Sequence, residues 1–328
     1  MQLLDVRRDA IVVRMKITAL RRREFLGFLG AVLAHCALPP RLFAAGDEPE
    51  FDDNLLVLLA DIHAGASGKC AHARCKFAET VEEILKMRPK PRNVVVFGDV
   101  AYLYGLGADY DFSRPLFQQL EDAGITITIG VGNHDRRSEY AKRWPEAAAK
   151  SLVPGRYVHL VETPHVDFLM LDTLAGADDR PDDVEGPQGG RLGKDEQIFL
   201  CDFLAGRQKS VILCAHHPSG DLWVCGKPMR EIVEKIPCVA GFIHGHYHCW
   251  RSESATELCL PSTGAWGDVG YSICRISSRR VTVEPVLKDF QVPVFGGGTM
   301  SLRSLPRIGG TARAHAFDLA APISPKLL

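Results

Sequence analysis

Residues 55–63 read LLVLLADIH: six consecutive apolar residues, Leu55 to Ala60, followed by an aspartate, an isoleucine and a histidine. An apolar run of that length without a polar break fits a strand buried on both faces, the kind found in largely parallel sheets. Asp61 and His63 then stand just past its carboxyl end, where open α/β sheets place ligands.

The same pattern recurs downstream. Strands are predicted over 94–97 and 125–131, with amphipathic helices over 77–87 and 112–123 and a polar helix over 140–150. That βαβ rhythm argues for an α/β fold built on a parallel sheet. The second half predicts hairpin strands over 157–162 and 166–171, helices over 194–205 and 229–236, and strands over 210–215 and 239–243. Shorter strands follow near 258–260, 270–276 and 281–287. Residues 50–290 therefore read as one domain and 291–328, with Gly296-Gly297-Gly298 and Gly309-Gly310, as a loosely packed tail. The stretch 172–190 is rich in Asp, Gly and Pro and is long for a connection, which makes it a candidate functional loop.

The bulk properties exclude more than they specify. Of 328 residues, 46% are hydrophobic and 24% charged, with a net charge of −1. There is no basic patch of the kind that binds nucleic acid and no acidic tail. The N-terminus differs. Arg22-Arg23-Glu24-Phe25-Leu26, then an apolar run from Gly27 to Leu38, resembles the R-R-x-F-L layout of a twin-arginine export signal. The run is shorter than the roughly 20 residues a membrane span needs. Residues 1–45 are thus read as a cleavable signal, with the twin-arginine export machinery as a partner and a periplasmic or other extracytoplasmic destination. No stable transmembrane span is expected after cleavage. Of ten cysteines, Cys36 would leave with the signal and nine would remain. An odd number set mostly in apolar runs, such as Cys214 and Cys274, reads as buried thiols rather than a disulfide framework. Cys70 and Cys75 are close enough in sequence to pair, but their spacing suits neither a zinc site nor a redox motif.

Five polar clusters follow predicted strands: Asp61-Ile62-His63, Gly98-Asp99, Gly132-Asn133-His134-Asp135, His216-His217-Pro218 and Gly245-His246-Tyr247-His248. Singly, a Gly-Asp or a D-x-H is an ordinary turn. Five in succession, each at a strand end, have no packing rationale. Their carboxylates, amide oxygen and imidazoles suit transition metals such as Mn, Fe or Zn better than Mg or Ca, which prefer oxygen alone. The donors exceed what one ion needs, so two ions sharing Asp99 is the simplest count. Arg136 and Arg137, next after the third cluster, are candidate pocket cations. His244 belongs to the strand before Gly245 and reads as a packing residue. By alternation His217 faces away from His216. His72, His159, His165 and His315 lie in no cluster and read as surface or turn residues.

The ordered series D-x-H, G-D, G-N-H-D, H-x-P, G-H-x-H resembles the calcineurin-like metallophosphoesterase superfamily. That resemblance implies a four-layer αββα sandwich of two mixed sheets flanked by helices. It also implies a dinuclear centre with Asp61, His63 and His248 on one metal, Asn133, His216 and His246 on the other, and Asp99 bridging. His134 would stand near the scissile phosphate, oriented by Asp135, and a bridging hydroxide would attack phosphorus in line. The middle stretches FLMLDT and GGRLGKDEQIFL are similar to the branch of cyclic-nucleotide and glycerophospho-diesterases. The alternatives are a purple-acid-phosphatase-like monoesterase, suggested by the G-D-x-x-Y spacing of Asp99 and Tyr102, and a catalytically silent scaffold. The first family lacks the histidine of D-x-H, which His63 supplies here; the second lacks ligands, and all seven positions are filled here.

Overall fold

The computed structural model describes residues 50–65, 71–174, 190–291, 294–295, 298–299 and 313–320. The export signal read above lies outside them, as do Cys70 and most of the 172–190 loop. Among the described residues, no helix is long and apolar enough to cross a membrane.

In β1 (Phe51–Leu59), Leu56 and Leu58 face one way and Val57 and Leu59 the other, and all four are buried. This two-sided burial is why the run carries no polar residue. Strand β1 pairs in parallel with β2 (Lys90–Phe97), and β2 in parallel with β3 (Thr126–Gly130). Helices α1 (Ala71–Lys86) and α2 (Gly107–Asp122) make the crossovers. The polar helix predicted over 140–150 is two short helices, α3 (Arg137–Arg143) and α4 (Pro145–Ala149). Pro145 explains the break, because it disfavours helical geometry in Trp144 before it and cannot continue the hydrogen-bond ladder.

The second sheet carries β4 (His159–Glu162), β5 (Asp167–Met170), β6 (Val211–Ala215), β9 (Val239–His244), β10 (Arg251–Ser252) and β11 (Glu257–Cys259), in the order β10-β11-β9-β6-β5-β4. Its four central strands are parallel and both edges antiparallel. A hairpin, β7 (Trp223–Val224) and β8 (Lys227–Pro228), lies between β6 and β9, with α5 (Lys194–Leu204) before it and α6 (Met229–Lys235) after it. The first sheet is completed by β12 (Gly267–Ile276), antiparallel to β1, and β13 (Arg280–Gln291). Two short strands, β14 (Val294–Phe295) and β15 (Gly298–Thr299), pair with each other.

Three apolar clusters define the layers. Leu56, Leu58, Val95 and Phe97 of the first sheet meet Phe168, Met170, Ile212 and Ile243 of the second. Val57, Leu59 and Val96 pack outward on Phe77, Val81 and Phe117 of the helices. Leu169, Leu213 and Phe242 pack outward on Leu200, Met229 and Val233. Two mixed sheets flanked by helices are thus the architecture that the sequence implied.

Part of the expected loose tail is ordered. Strand β16 (His315–Asp318) pairs with β13 at the edge of the first sheet. Its Phe317 is buried over Gly241, where a Cβ would come within 2.2 Å of the ring. His315, read as a surface residue, is buried too, with Nδ1 2.9 Å from Ser252 Oγ.

Candidate metal centre

The chain turns sharply at the carboxyl ends of β1, β2, β3, β6 and β9, and the five polar clusters converge there. Asp61, His63, Asp99, His246, His248 and Trp266 all have φ between +47° and +70°, six of the seven non-glycine residues in the left-handed region among the described residues. Each such conformation costs on the order of 1–3 kcal/mol and tends to persist where function requires it. Close approach is enforced by two glycines. A Cβ on Gly132 would lie 2.2 Å from Asp99 Oδ1, and one on Gly245 would lie 2.7 Å from Asp61 Oδ2.

Backbone carbonyls fix the imidazoles. His63 Nδ1 donates to Tyr102 O at 2.9 Å, His248 Nδ1 to Ala265 O at 2.9 Å and His216 Nδ1 to Phe97 O at 2.8 Å. In all three, Nε2 is therefore the nitrogen turned toward the cluster. His63 Nε2 and His248 Nε2 lie 3.2 Å apart, with Asp61 Oδ1 3.3 Å from the latter. His216 Nε2 and His246 Nδ1 are 3.2 Å apart, and each is 2.9 Å from Asn133 Oδ1. Asp99 Oδ2 stands between the two groups, 3.2 Å from His216 Nε2 and 3.6 Å from His63 Nε2.

Nitrogen and oxygen lone pairs converge at both foci, so a proton or a metal ion is needed between them. Burial pushes the His63 and His246 imidazoles down to about 3, leaving them neutral. Burial also opposes charge on His216, but Asp99 and Asp61 raise it to about 9. Burial would raise the Asp99 carboxyl, yet His216, His134 and His63 hold it well below the usual carboxylate range. Two carboxylates, an amide oxygen and ring nitrogens form a mixed N/O donor set, and metals would displace the protons that Asp99 and Asp61 favour on His216 and His248. The residues fit a pair of transition-metal ions, one at each focus.

The structure brings all seven sequence-predicted ligand residues into this cluster. It also brings in His217, which alternation had turned away. Strand β6 ends at Ala215, so the period of 2 no longer applies, and the buried His217 ring lies 4.9 Å from that of His246. Thr173 Oγ1 holds its Nδ1 at 2.8 Å. Ligand atoms of His216, His217 and His246 lie within 4.8 Å of one another.

Asp135 differs from expectation in its partners. Rather than orienting His134, its carboxylate accepts from Val100 N and Ala101 N at 3.1 Å, Gly132 N at 2.9 Å and Tyr110 Oη at 2.9 Å. It ties the loop after β2 to the loop after β3. The His134 ring is fixed instead by Leu103 O, 2.8 Å from Nδ1, and His134 N donates to Asp99 Oδ1 at 2.8 Å. Arg137, read as a pocket cation, is buried in a bidentate pair with Asp172, both contacts at 2.7 Å. Asp172 N in turn donates to Glu196 Oε1 at 2.8 Å. His244 stays in β9 and donates from Nδ1 to Gly245 O at 2.9 Å. Trp266, absent from every motif, packs over the His63 ring at 4.8 Å and the His248 ring at 5.7 Å. No periodicity marks such a residue.

The sequence profile of the calcineurin-like phosphoesterases matches residues 55–250, more than half of the chain. Among solved structures, the chain is similar to a dimetal phosphatase from Danio rerio, with a TM-score of 0.54 and 16% identity over 72% of this chain and 96% of that one. It is also similar to TT1561 of Thermus thermophilus, with a TM-score of 0.43 and 14% identity over 71% and 98% of the two chains. A zinc complex of Vps29 from Entamoeba histolytica matches at a TM-score of 0.35 and 11% identity, over 80% and 98%. At these identities the first of them speaks to the fold alone. No curated protein matches the chain.

Proposed function

The chain belongs to the calcineurin-like phosphoesterase family, and from that premise we propose that this metal-dependent phosphoester hydrolase is a phosphodiesterase with a dinuclear centre. The observation that carries the dinuclear part of this reading is the place of Asp99 Oδ2, within 3.6 Å of donor nitrogens from both foci. In this reading Asp61, His63 and His248 hold one ion, Asn133, His216 and His246 the other, and Asp99 both.

When bound, the ions supply Lewis acidity, offsetting charge on phosphoryl oxygens and providing a nucleophile at neutral pH. The protein does the rest. Asp135 pins the loops that carry Asp99 and Asn133, so the donor set is organised before an ion arrives. His134 donates from Nδ1 to Leu103 O, which leaves Nε2 facing the substrate; as the doubly protonated imidazolium it would pass its Nε2 proton to the departing oxygen. Trp266 and Tyr102, 5.9 Å apart, shield the His63 side of the site.

Diester preference is supported by the L-D-T segment and the segment Gly190 to Gln197. In the fold Asp172 and Thr173 of the first buttress Arg137 and His217, and Glu196 of the second buttresses Asp172. With added Mn²⁺, purified protein should hydrolyse bis(p-nitrophenyl) phosphate faster than p-nitrophenyl phosphate. The reverse order would favour the monoesterase reading, and inactivity on both the silent scaffold. Residues 50–290 form the catalytic domain in this reading, and residues 1–45 are a twin-arginine signal that carries the folded enzyme to the periplasm. Replacing Arg22 and Arg23 with lysine should retain the protein in the cytoplasm, and unchanged fractionation would remove that part.

A further inference from the structure

Three of the free cysteines among the described residues are exposed: Cys75, Cys201 and Cys225. Two of them meet. Cys201 lies on α5 and Cys225 at the tip of the β7–β8 hairpin, with their sulfurs 3.5 Å apart. Cys225 and Gly226 form the two-residue turn, with φ of +49° and +82°. Positive φ at both central positions is the type I′ arrangement, which favours Asn or Asp before the glycine. Cysteine offers the turn nothing. Its position over α5 is set by Gln197, one helical turn before Cys201, whose Oε1 accepts from Cys225 N at 2.8 Å. Under the two thiols lies an apolar cavity of about 320 Å³, lined by Leu200, Leu204, Val224 and Ile232.

We propose that Cys201 and Cys225 are a disulfide-forming pair, a covalent modification site that staples the β7–β8 hairpin to α5 across the mouth of this cavity. The sulfurs need to close from 3.5 Å to a bond length of about 2.0 Å, a shift within reach of side-chain rotation at a hairpin tip. The oxidant is a disulfide, either a small molecule or an oxidised dithiol protein. One cysteine thiolate attacks a donor sulfur and expels the first donor thiolate. The second cysteine then attacks the mixed disulfide and expels the other. Two protons leave the protein's thiols, and the donor disulfide is reduced to two thiols. The hairpin belongs to the segment that leaves His216-His217-Pro218, so the bond fixes the chain on the outer side of the metal-site histidines. Cys249 and Cys259 also approach, at 3.9 Å, but both are buried from any donor.

The test uses the full chain, treated with oxidised glutathione and analysed by intact mass and non-reducing peptide mapping. The wild type should lose two hydrogens per chain and yield a peptide joining Cys201 to Cys225, which Cys201→Ser and Cys225→Ser should each abolish. Closing this loop should raise the melting temperature of the oxidised wild type by roughly 5–10 °C over the reduced form, with no such difference in Cys201→Ser. Glutathione adducts on both cysteines without an internal bond, a cross-link elsewhere only, or no reaction would each overturn the proposal. None of these readouts depends on phosphoester hydrolysis.

Discussion

Glu196 stands in the first turn of α5 with its carboxyl buried, Oε1 accepting from Asp172 N at 2.8 Å and Oε2 without a hydrogen-bond partner. Burial, reinforced by the Asp172 carboxylate, pushes its pKa from 4.5 up to about 8. The folded protein therefore keeps this proton at pH values where the unfolded chain has released it. Stability from the group is fully present below about pH 4.5 and is lost progressively as the pH rises to about 8. At pH 7 the loss spans about 2.5 pH units at 1.36 kcal/mol each, so on the order of 3 kcal/mol. Glu196→Gln keeps the acceptor for Asp172 N and copies the neutral form, so it should abolish this slope. For a domain of this size that difference is roughly 6–12 °C in melting temperature at pH 7, shrinking toward zero at about pH 4.5. Thermal melts of both proteins from about pH 4.5 to 8.5 provide the assay. Parallel curves across that range would refute the claim that Glu196 is buried in its neutral form.

Asp135→Asn turns an amide N–H toward a backbone donor, Gly132 N or Ala101 N, leaving it unsatisfied at a cost of about 1–3 kcal/mol. Melts should show that loss, together with weakened metal binding. His217→Ala removes a buried ring packed against His216 and His246, and kcat/KM should fall measurably, by roughly 10-fold or more for a loss of about 1.4 kcal/mol or more. Steady-state kinetics in which His217→Ala matches the wild type would return the residue to a packing role. Thr173→Val, which deletes only the hydroxyl holding its Nδ1, should shift kcat/KM in the same direction by less.

The sequence made the site legible because strand ends carry it. An apolar run such as 55–60 has one reading, and whatever follows it must lie at the carboxyl edge of the sheet. All seven predicted ligand residues converge for that reason. What escaped were residues whose position depends on where an element stops or on contacts distant in sequence. Alternation does not govern His217, which lies beyond the end of β6. Adjacency links Asp135 to its sequence neighbour His134, although its oxygens serve Val100, Ala101 and Tyr110, which are 25 to 35 residues away. Arg137 read as a pocket cation because nothing nearby in sequence announces Asp172 as its partner. Phe317 sat in a glycine-rich tail with no flanking periodicity, and only the space above Gly241 explains its strand.

Asp99 is the proposed ligand shared by both foci, with Oδ2 near His216 and His63, and metal stoichiometry tests that role directly. Isothermal titration of metal-free protein with Mn²⁺ should find two ions per chain in the wild type. In Asp99→Ala, which removes the carboxylate standing between both foci, neither ion should bind with wild-type affinity. Two undiminished sites in Asp99→Ala, or well under one ion per chain in the wild type, would contradict a dinuclear centre organised around Asp99.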